Sequence, residues 1–316
     1  MAMERHPRRL MLQSVGGGML AAALTPPARA RAGGAGGGQG GQNDQVPTVV
    51  EWINRHAVPL ASAEPGELLG DLTPLHRSIG DATIVGLGES THGAAEEITL
   101  KHRALRLLVG EMGFRSVAWE EQWTTGLQVN EYLSTGEGDL DALMSQMSGQ
   151  WQSRQVADVL RWLRDYNAGR ADKVQFVGVE YYLTGPQAYD AVDQHVAGIP
   201  PERLTVLREH LRVIRPSTPN IFEHIQWYMS VPDKEPYVRT AREVLALVEG
   251  LPHAPGDRAH ELTVQQARQI VSFYEHFSLP DADALVYREA HAAENLRWWR
   301  DFTGDKIAYW AASPHT

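Results

Sequence analysis

Thr83-Ile84-Val85-Gly86-Leu87-Gly88-Glu89-Ser90-Thr91-His92-Gly93 is the stretch on which the fold turns. A short β-branched apolar run stops at a glycine, and a Glu and a His follow three residues apart. Residues 94–111 then carry apolar side chains at helical spacing, among them Ile98, Leu100, Leu105, Leu107 and Leu108. Strand, tight polar turn and helix in that order are how an open α/β sheet presents chemistry at the carboxyl ends of its strands. A turn that only reversed the chain would need Gly, Asn or Asp; this one carries an acid and a base.

Working outward, the pattern repeats. Residues 49–56 suggest a short helix and 68–79 another element before the first strand at 83–88. Ser116-Val117-Ala118-Trp119-Glu120 reads as a second strand, after a helix closed by Gly113. Residues 127–133 follow, then a polar stretch rich in Gly, Ser, Met and Gln over 134–151. Ser153 is a fitting N-cap for a helix over 156–167, with Gly169 just past its end. A third strand runs over 174–180. Helices are expected at 202–214, 238–251, 259–277 and 284–302, punctuated by prolines, before a fourth strand, Lys306-Ile307-Ala308-Tyr309-Trp310. The order predicts an α/β fold: a mostly parallel sheet flanked by helices, with a helical insertion before the last strand.

With 316 residues, 43% hydrophobic and 22% charged, the chain has the composition of a globular enzyme. A net charge of −10 offers no basic footprint for nucleic acid. The absence of cysteine excludes disulfides, thiolate metal sites and a thiol nucleophile. Residues 1–32 read as a twin-arginine-type export signal, with Arg8-Arg9 ahead of an apolar run and Ala28-Arg29-Ala30 beyond it. Residues 33–45 read as a Gly-rich linker, and 46–316 as the expected folded domain. The expected location is therefore outside the cytoplasm, without a stable membrane anchor.

Each strand candidate ends on chemistry: Glu89 with His92, Glu120 with Glu121, Glu180, and Ser313 with His315. In a parallel sheet those ends share one edge, so the carboxylates and imidazoles would line one crevice. Such a cluster suits an imidazole oriented by carboxylates as a general base for water. It also suits a divalent metal held by Glu89, His92, Glu120 and His315. The spacing leaves both open, because Glu-x-x-His in a turn is not the helical His-x-x-x-His of a zinc hydrolase. Lys101, Arg103 and Arg288 are the cations that could face a developing oxyanion. Trp298 and Trp299 read as core, and the scattered His102, His195, His210, His224, His253, His260, His276 and His291 as surface or core residues. Ser90 follows a strand but lacks the Gly-x-Ser-x-Gly elbow of a nucleophile.

These residues resemble the erythromycin esterase family, including members described as succinoglycan biosynthesis proteins. The resemblance runs through Gly88-Glu89-Ser90-Thr91-His92-Gly93-Ala94-Ala95-Glu96, then Glu111-Met112-Gly113-Phe114-Arg115-Ser116-Val117-Ala118-Trp119-Glu120, and Val129-Asn130-Glu131-Tyr132-Leu133. It continues at Trp151, at Trp162-Leu163-Arg164-Asp165-Tyr166-Asn167, at Phe176-Val177-Gly178-Val179-Glu180, at Arg288, at Ala293-Glu294-Asn295 and from Lys306 to Trp310.

The resemblance implies opening of a macrocyclic or other cyclic ester by His-activated water, without a covalent intermediate or cofactor, and a role in macrolide resistance. His92 would be the base, Glu89 and Glu120 would orient and balance it, and Lys101 or Arg288 would steady the oxyanion. The full expected catalytic set is His92, Glu89, Glu120, His315 and Arg288, with Lys101, Glu96, Glu121 and Glu180 toward substrate. Three motifs depart from the family. Trp-Ala-His-Asn-x-His reads Trp310-Ala311-Ala312-Ser313-Pro314-His315, Gly-x-Asp reads Gly178-Val179-Glu180, and Arg-Asp reads Arg288-Glu289. Family members continue past this point, so a truncated or shortened relative is expected. A metal-dependent hydrolase, a biosynthetic enzyme using the same Glu/His pair and an exported non-catalytic binding remnant are the competing readings.

Overall fold

The computed structural model describes residues 48–197 and 201–316. The expected export signal (1–32) and linker (33–45) lie outside the described residues. The chain divides into two units, Met1–Ala57 and Val58–Thr316. In the first, α1 (Val49–His56) starts at a capping box: Thr48 accepts from the Glu51 N–H while the Glu51 carboxylate takes the Thr48 N–H.

The second unit opens with a 3-10 turn (Gly70–Leu72) and α2 (Thr73–Ile79). Then come β1 (Ile84–Leu87), α3 (Ala95–Glu111), β2 (Phe114–Gln122), α4 (Trp123–Thr135), α5 (Leu140–Gln146), α6 (Arg154–Asn167) and β3 (Gln175–Glu180). Six helices follow: α7 (Pro186–Val196), α8 (Pro201–Ile214), α9 (Ile221–Ser230), α10 (Glu235–Glu249), α11 (Arg258–His276) and α12 (Asp281–Thr303). Last come β4 (Lys306–Trp310) and a 3-10 turn, Ser313–His315. The expected architecture holds. Among the described residues the four strands are all parallel, in the order β1-β4-β2-β3, and the helical block precedes β4.

Period-two alternation sorts the sheet's side chains onto two faces. Val117, Trp119, Phe176, Ala308 and Trp310 pack with α3, α4, α5 and α6. Ala118, Val177, Val179, Ile307 and Tyr309 pack with Trp123 and with Ala292 and Trp299 of α12. Trp299 is therefore core, as its sequence suggests, and its indole N–H donates to Ser116 Oγ at 3.0 Å. Helices α7, α8, α9, α10 and α11 close a separate apolar cluster around Tyr189, Tyr228, Phe273 and Tyr274.

Three helices were not legible in the sequence. α5 sits inside the polar stretch, started by Asp139, which accepts from the Asp141 and Ala142 N–H groups. α7 begins at Gly185-Pro186, which reads equally as a turn or as proline in a first helical turn. α9 is a ten-residue helix capped by Asn220 after a Pro/Ser/Thr run.

One contact fixes how the layers approach. A Cβ at Gly178 of β3 would lie 2.2 Å from the Gln122 carbonyl oxygen, and one at Gly126 of α4 would lie 2.0 Å from the Gly178 nitrogen. Both obstacles are backbone, so neither yields cheaply. Gly178→Ala is expected to destabilise the protein by about 3 kcal/mol or more, read as a lower denaturant midpoint. A midpoint within experimental error of the parent would remove this account.

Candidate active site

The site forms where β1 and β4 stay zipped beyond their strand ends. Ala311 N–H donates to the Leu87 carbonyl at 3.4 Å and Ser313 N–H to the Glu89 carbonyl at 2.8 Å. Gly88 permits this, because a Cβ there would meet Ser313 Oγ at 2.8 Å and Ser313 Cα at 3.1 Å. The 90–93 turn is held from α3: Glu97 accepts the Ser90 N–H at 2.7 Å and also the Ser90 hydroxyl. Ser90 is thus tied to a carboxylate and is not presented as a nucleophile. Glu97 was missed in the sequence, which pointed to its neighbour Glu96. Glu96 is exposed and takes no part in the cluster's bonds.

His92 Nδ1 lies 2.7 Å from Glu89 Oε1. An ionised carboxylate only accepts, so the imidazole proton is on Nδ1 and the Nε2 lone pair is free. The Glu89 bond raises the His92 pKa above its ordinary value, more than desolvation lowers it. Burial alone would push Glu89 up, yet the hydrogen bonds from His92 and Lys101 outweigh it and hold Glu89 below the usual carboxylate range. Lys101, expected to reach substrate, is directed inward instead. Its ammonium donates to Glu89 Oε2 at 2.7 Å and to the Ala311 carbonyl at 3.2 Å, and sits 4.4 Å from the Trp310 ring centre. Burial pushes it down to about 8. Arg103 lies elsewhere, bound to Asp71 and to the Ser62 and Leu68 carbonyls.

Glu120, 4% exposed, is the centre of the cluster. Its Oε2 accepts the Ala312 N–H at 2.9 Å and its Oε1 accepts Arg288 Nη2 at 3.0 Å. The same Oε1 faces His92 Nε2 at 4.0 Å and His315 Nε2 at 3.5 Å. His315 Nδ1 is in turn 2.8 Å from Glu289 Oε2. Two imidazoles therefore flank one carboxylate oxygen, each with its other nitrogen on a carboxylate of its own. Glu289 is the partner the sequence did not assign; its position beside Arg288 in a quoted motif was the available signal.

Glu180, 2% exposed, accepts from Arg288 Nε at 3.1 Å and Nη2 at 2.7 Å. Burial raises the Glu180 carboxyl, against the pull of Arg288. Glu180 therefore anchors the arginine. Arg288 Nη1, 3.9 Å from Glu289 Oε1, is its least committed nitrogen. Glu121, expected to face substrate beside Glu120, points to another loop: its oxygens accept the Ser148 N–H at 2.6 Å, the Ser148 hydroxyl at 2.9 Å and the Gln122 N–H at 2.7 Å. A register shift between Trp119 and Gln122 gives β2 one extra residue against β3 and sends the two adjacent glutamates to different destinations. Trp151 was quoted only as part of the resemblance. It lies edge-on to His92 at 4.9 Å, and Trp119 stacks on Trp310 at 4.3 Å, giving the site an aromatic wall.

Among the described residues no group of three or more His, Cys, Asp or Glu side chains is arranged to hold a metal ion. Of the four residues considered as ligands, Glu89 and Glu120 have both oxygens engaged by other protein groups, while His92 and His315 are engaged through Nδ1 alone. No described helix is long and apolar enough to cross a membrane.

Residues 109–316 match the protein family described as Erythromycin esterase. Erythromycin esterase type II of Escherichia coli is 28% identical over 135 residues, which cover 43% of this chain and 32% of that protein. A solved succinoglycan biosynthesis protein superposes with a TM-score of 0.73 at 30% identity, over 82% of this chain and 64% of its own. A mutant of the erythromycin esterase EreC in its open conformation shares the fold, with a TM-score of 0.62 at 18% identity over 79% of this chain and 65% of its own. The chain spans about a third of the E. coli relative and just under two thirds of these solved structures.

Proposed function

The chain belongs to the erythromycin esterase family, and on that premise we propose that it hydrolyses a cyclic ester, a macrolactone or a simpler lactone, with His92 as the base. The observation that carries the reading is the orientation of His92: Nδ1 is held by Glu89 and Nε2 is open, 4.0 Å from Glu120 Oε1. A water seated at Nε2 gives up a proton to it as its oxygen attacks the ester carbonyl. The tetrahedral oxyanion is met by Arg288, whose Nη1 is its least committed donor. Collapse breaks the acyl C–O bond, and the proton that His92 took from water passes to the leaving alkoxide, with His315, held by Glu289, as the second imidazole beside Glu120 Oε1. The product is a single ring-opened hydroxy acid, whose new carboxyl gives its proton to solvent and leaves as the carboxylate. Lys101 keeps Glu89 ionised, so Glu89 can balance the imidazolium formed in the first step.

Mass spectrometry of the protein with a panel of macrolactones and smaller lactones tests this. A gain of one water, lost in His92→Ala and unaffected by chelator, is the expected result. Dependence on chelator would move the reading to a metal-dependent hydrolase. Binding of a lactone without turnover by the folded protein would move it to a binding protein.

The pH dependence carries a sign of its own. The base must be neutral, so kcat/KM rises with pH through the His92 pKa, which its Glu89 bond places above the ordinary ~6.5. On the alkaline side Lys101 loses its proton near about 8, and with it the charge that holds Glu89. The expected profile is a narrow bell whose acid limb lies above pH ~6.5 and whose alkaline limb is absent in Lys101→Met. An acid limb below the ordinary imidazole value would contradict the assignment.

Export is part of the same proposal, carried by Arg8-Arg9 and the apolar run behind them. A reporter fused after residue 32 should be exported, and Arg8→Lys/Arg9→Lys should retain it in the cytoplasm; export unaffected by that change would remove the twin-arginine reading.

A further inference from the structure

Three consecutive residues at the end of β2 each fasten a different loop to the rim of the site. Glu120 takes the Ala312 N–H on its side chain, and its carbonyl takes the Trp151 indole N–H at 2.8 Å. Glu121 takes both donors of Ser148, and Gln122 Oε1 takes the Leu183 N–H at 2.8 Å. Glu120 and Glu121 therefore grip the two ends of one short segment, residues 148–151.

That segment has little to hold it by itself. It is a single 3-10 turn, Gly149–Trp151, and Ser148 before it makes no side-chain capping bond because its hydroxyl is given to Glu121. A turn of this length has weak internal hydrogen bonds and takes its shape from its surroundings. Yet it carries Trp151, a fully buried indole wedged between Trp119 at 5.5 Å and His92 at 4.9 Å, almost perpendicular to the imidazole at 83°. Trp151 thus walls one side of an imidazole whose own side chain is 36% exposed.

Glu121 is an unusual clamp. It is 1% exposed, and no cation pairs with it among the described residues. Burial lifts its carboxyl to about 7, and Glu180 adds to the cost of ionising it. A carboxyl in such a place is costly unless its hydrogen bonds offset its burial. Its three hydrogen bonds all come from donors, the Ser148 N–H and hydroxyl and the Gln122 N–H, and fill its acceptor sites.

We propose that Glu121 is a positioning residue for the base: by clamping Ser148 it fixes the 148–151 turn, and through it Trp151, so that the His92 ring is held with Nδ1 on Glu89 and Nε2 open. With the clamp released, the turn lifts, water enters beside the imidazole, and the ring divides its time between Glu89 and solvent. The role assigned to His92 rests on the esterase reading; the mechanical coupling from Glu121 to His92 does not, and it is measured without substrate.

The experiment is an NMR titration of the full chain, following the His92 ring and the Trp151 indole N–H in the parent, Glu121→Ala, Glu121→Gln and Ser148→Ala. Glu121→Ala should lower the His92 midpoint toward its ordinary value, by about 0.5–1 pH unit as a carboxylate hydrogen bond is lost. It should also speed exchange of the Trp151 indole N–H at least tenfold. Glu121→Gln keeps a carbonyl acceptor for the Ser148 N–H and should recover most of both signals. Ser148→Ala removes one of the two clamp bonds and should show a smaller shift in the same direction, which keeps the test available if Glu121→Ala does not fold.

A purely structural role would lower the melting temperature and leave the His92 midpoint in place. An unchanged midpoint in folded Glu121→Ala or Ser148→Ala overturns the proposal. A shifted midpoint in a protein that hydrolyses no lactone keeps the clamp and removes the esterase reading. His92-dependent hydrolysis with an unshifted midpoint does the reverse.

Discussion

His92→Ala is expected to reduce kcat/KM on a hydrolysed lactone by about 10²–10⁴-fold, the usual cost of removing a general base. The effect should fall on kcat with little change in KM, because the imidazole acts on water and not on the ground-state substrate. Stability should change little, since the His92 side chain is partly exposed and its loss leaves Glu89 still paired with Lys101 at 2.7 Å. Glu89→Gln should be milder. The amide oxygen still accepts the Nδ1 proton and keeps the ring oriented, but the negative charge that balances the imidazolium is gone. Matching kcat values for parent and His92→Ala, in protein that melts normally, would end the general-base assignment.

Arg288→Met should damage both stability and rate. Arg288 is the cation shared by Glu120 at 3.0 Å and Glu180 at 2.7 Å, both nearly inaccessible to water. Removing one partner of a buried ion pair strands the other's charge, at a cost of about 3–5 kcal/mol. That corresponds to a fall in melting temperature of about 10 °C for a unit of this size. The sign with pH is defined. The penalty is that of a stranded carboxylate, so it is full where Glu180 is ionised and shrinks as Glu180 takes up a proton at lower pH. Burial already raises Glu180, so relief begins above the ordinary carboxylate range. Arg288→Met/Glu180→Gln should recover part of the lost stability and none of the rate, because the oxyanion donor is still missing; such a donor is worth about 10²–10³-fold in kcat. A melting temperature for Arg288→Met equal to the parent's, or full recovery of rate in the double variant, would contradict this account.

Glu89 and His92 were legible because they sit in a local pattern, a β-branched run ended by glycine with helical spacing behind it. Glu120, Glu180 and His315 were legible one level up, as polar residues at the ends of strands that had to be parallel. The partners of these residues were not. Lys101 and Arg288 both read as cations available to substrate. The fold gives Lys101 to Glu89 and binds Arg288 to Glu120 and Glu180, leaving Nη1 as the least committed donor. Glu121 read as a second copy of Glu120, and an extra residue in β2 turned it toward Ser148. Trp151, Glu97 and Glu289 each act on a histidine or on its turn, from helices or turns whose approach no local spacing encodes.

The sequence by itself determined the four strands, their parallel direction, the residues at their ends and the longer helices, because hydrophobic periodicity, caps and turn chemistry act over a few residues. Only the tertiary structure decided which of those ends are neighbours. Placing β4 between β1 and β2 brings His315 to the same carboxylate oxygen that His92 faces, although β4 lies almost two hundred residues beyond β2. Strand order is set by non-local pairing and by the packing of both sheet faces. The ionisation and orientation of each buried group then follow from which charge that packing sets beside it.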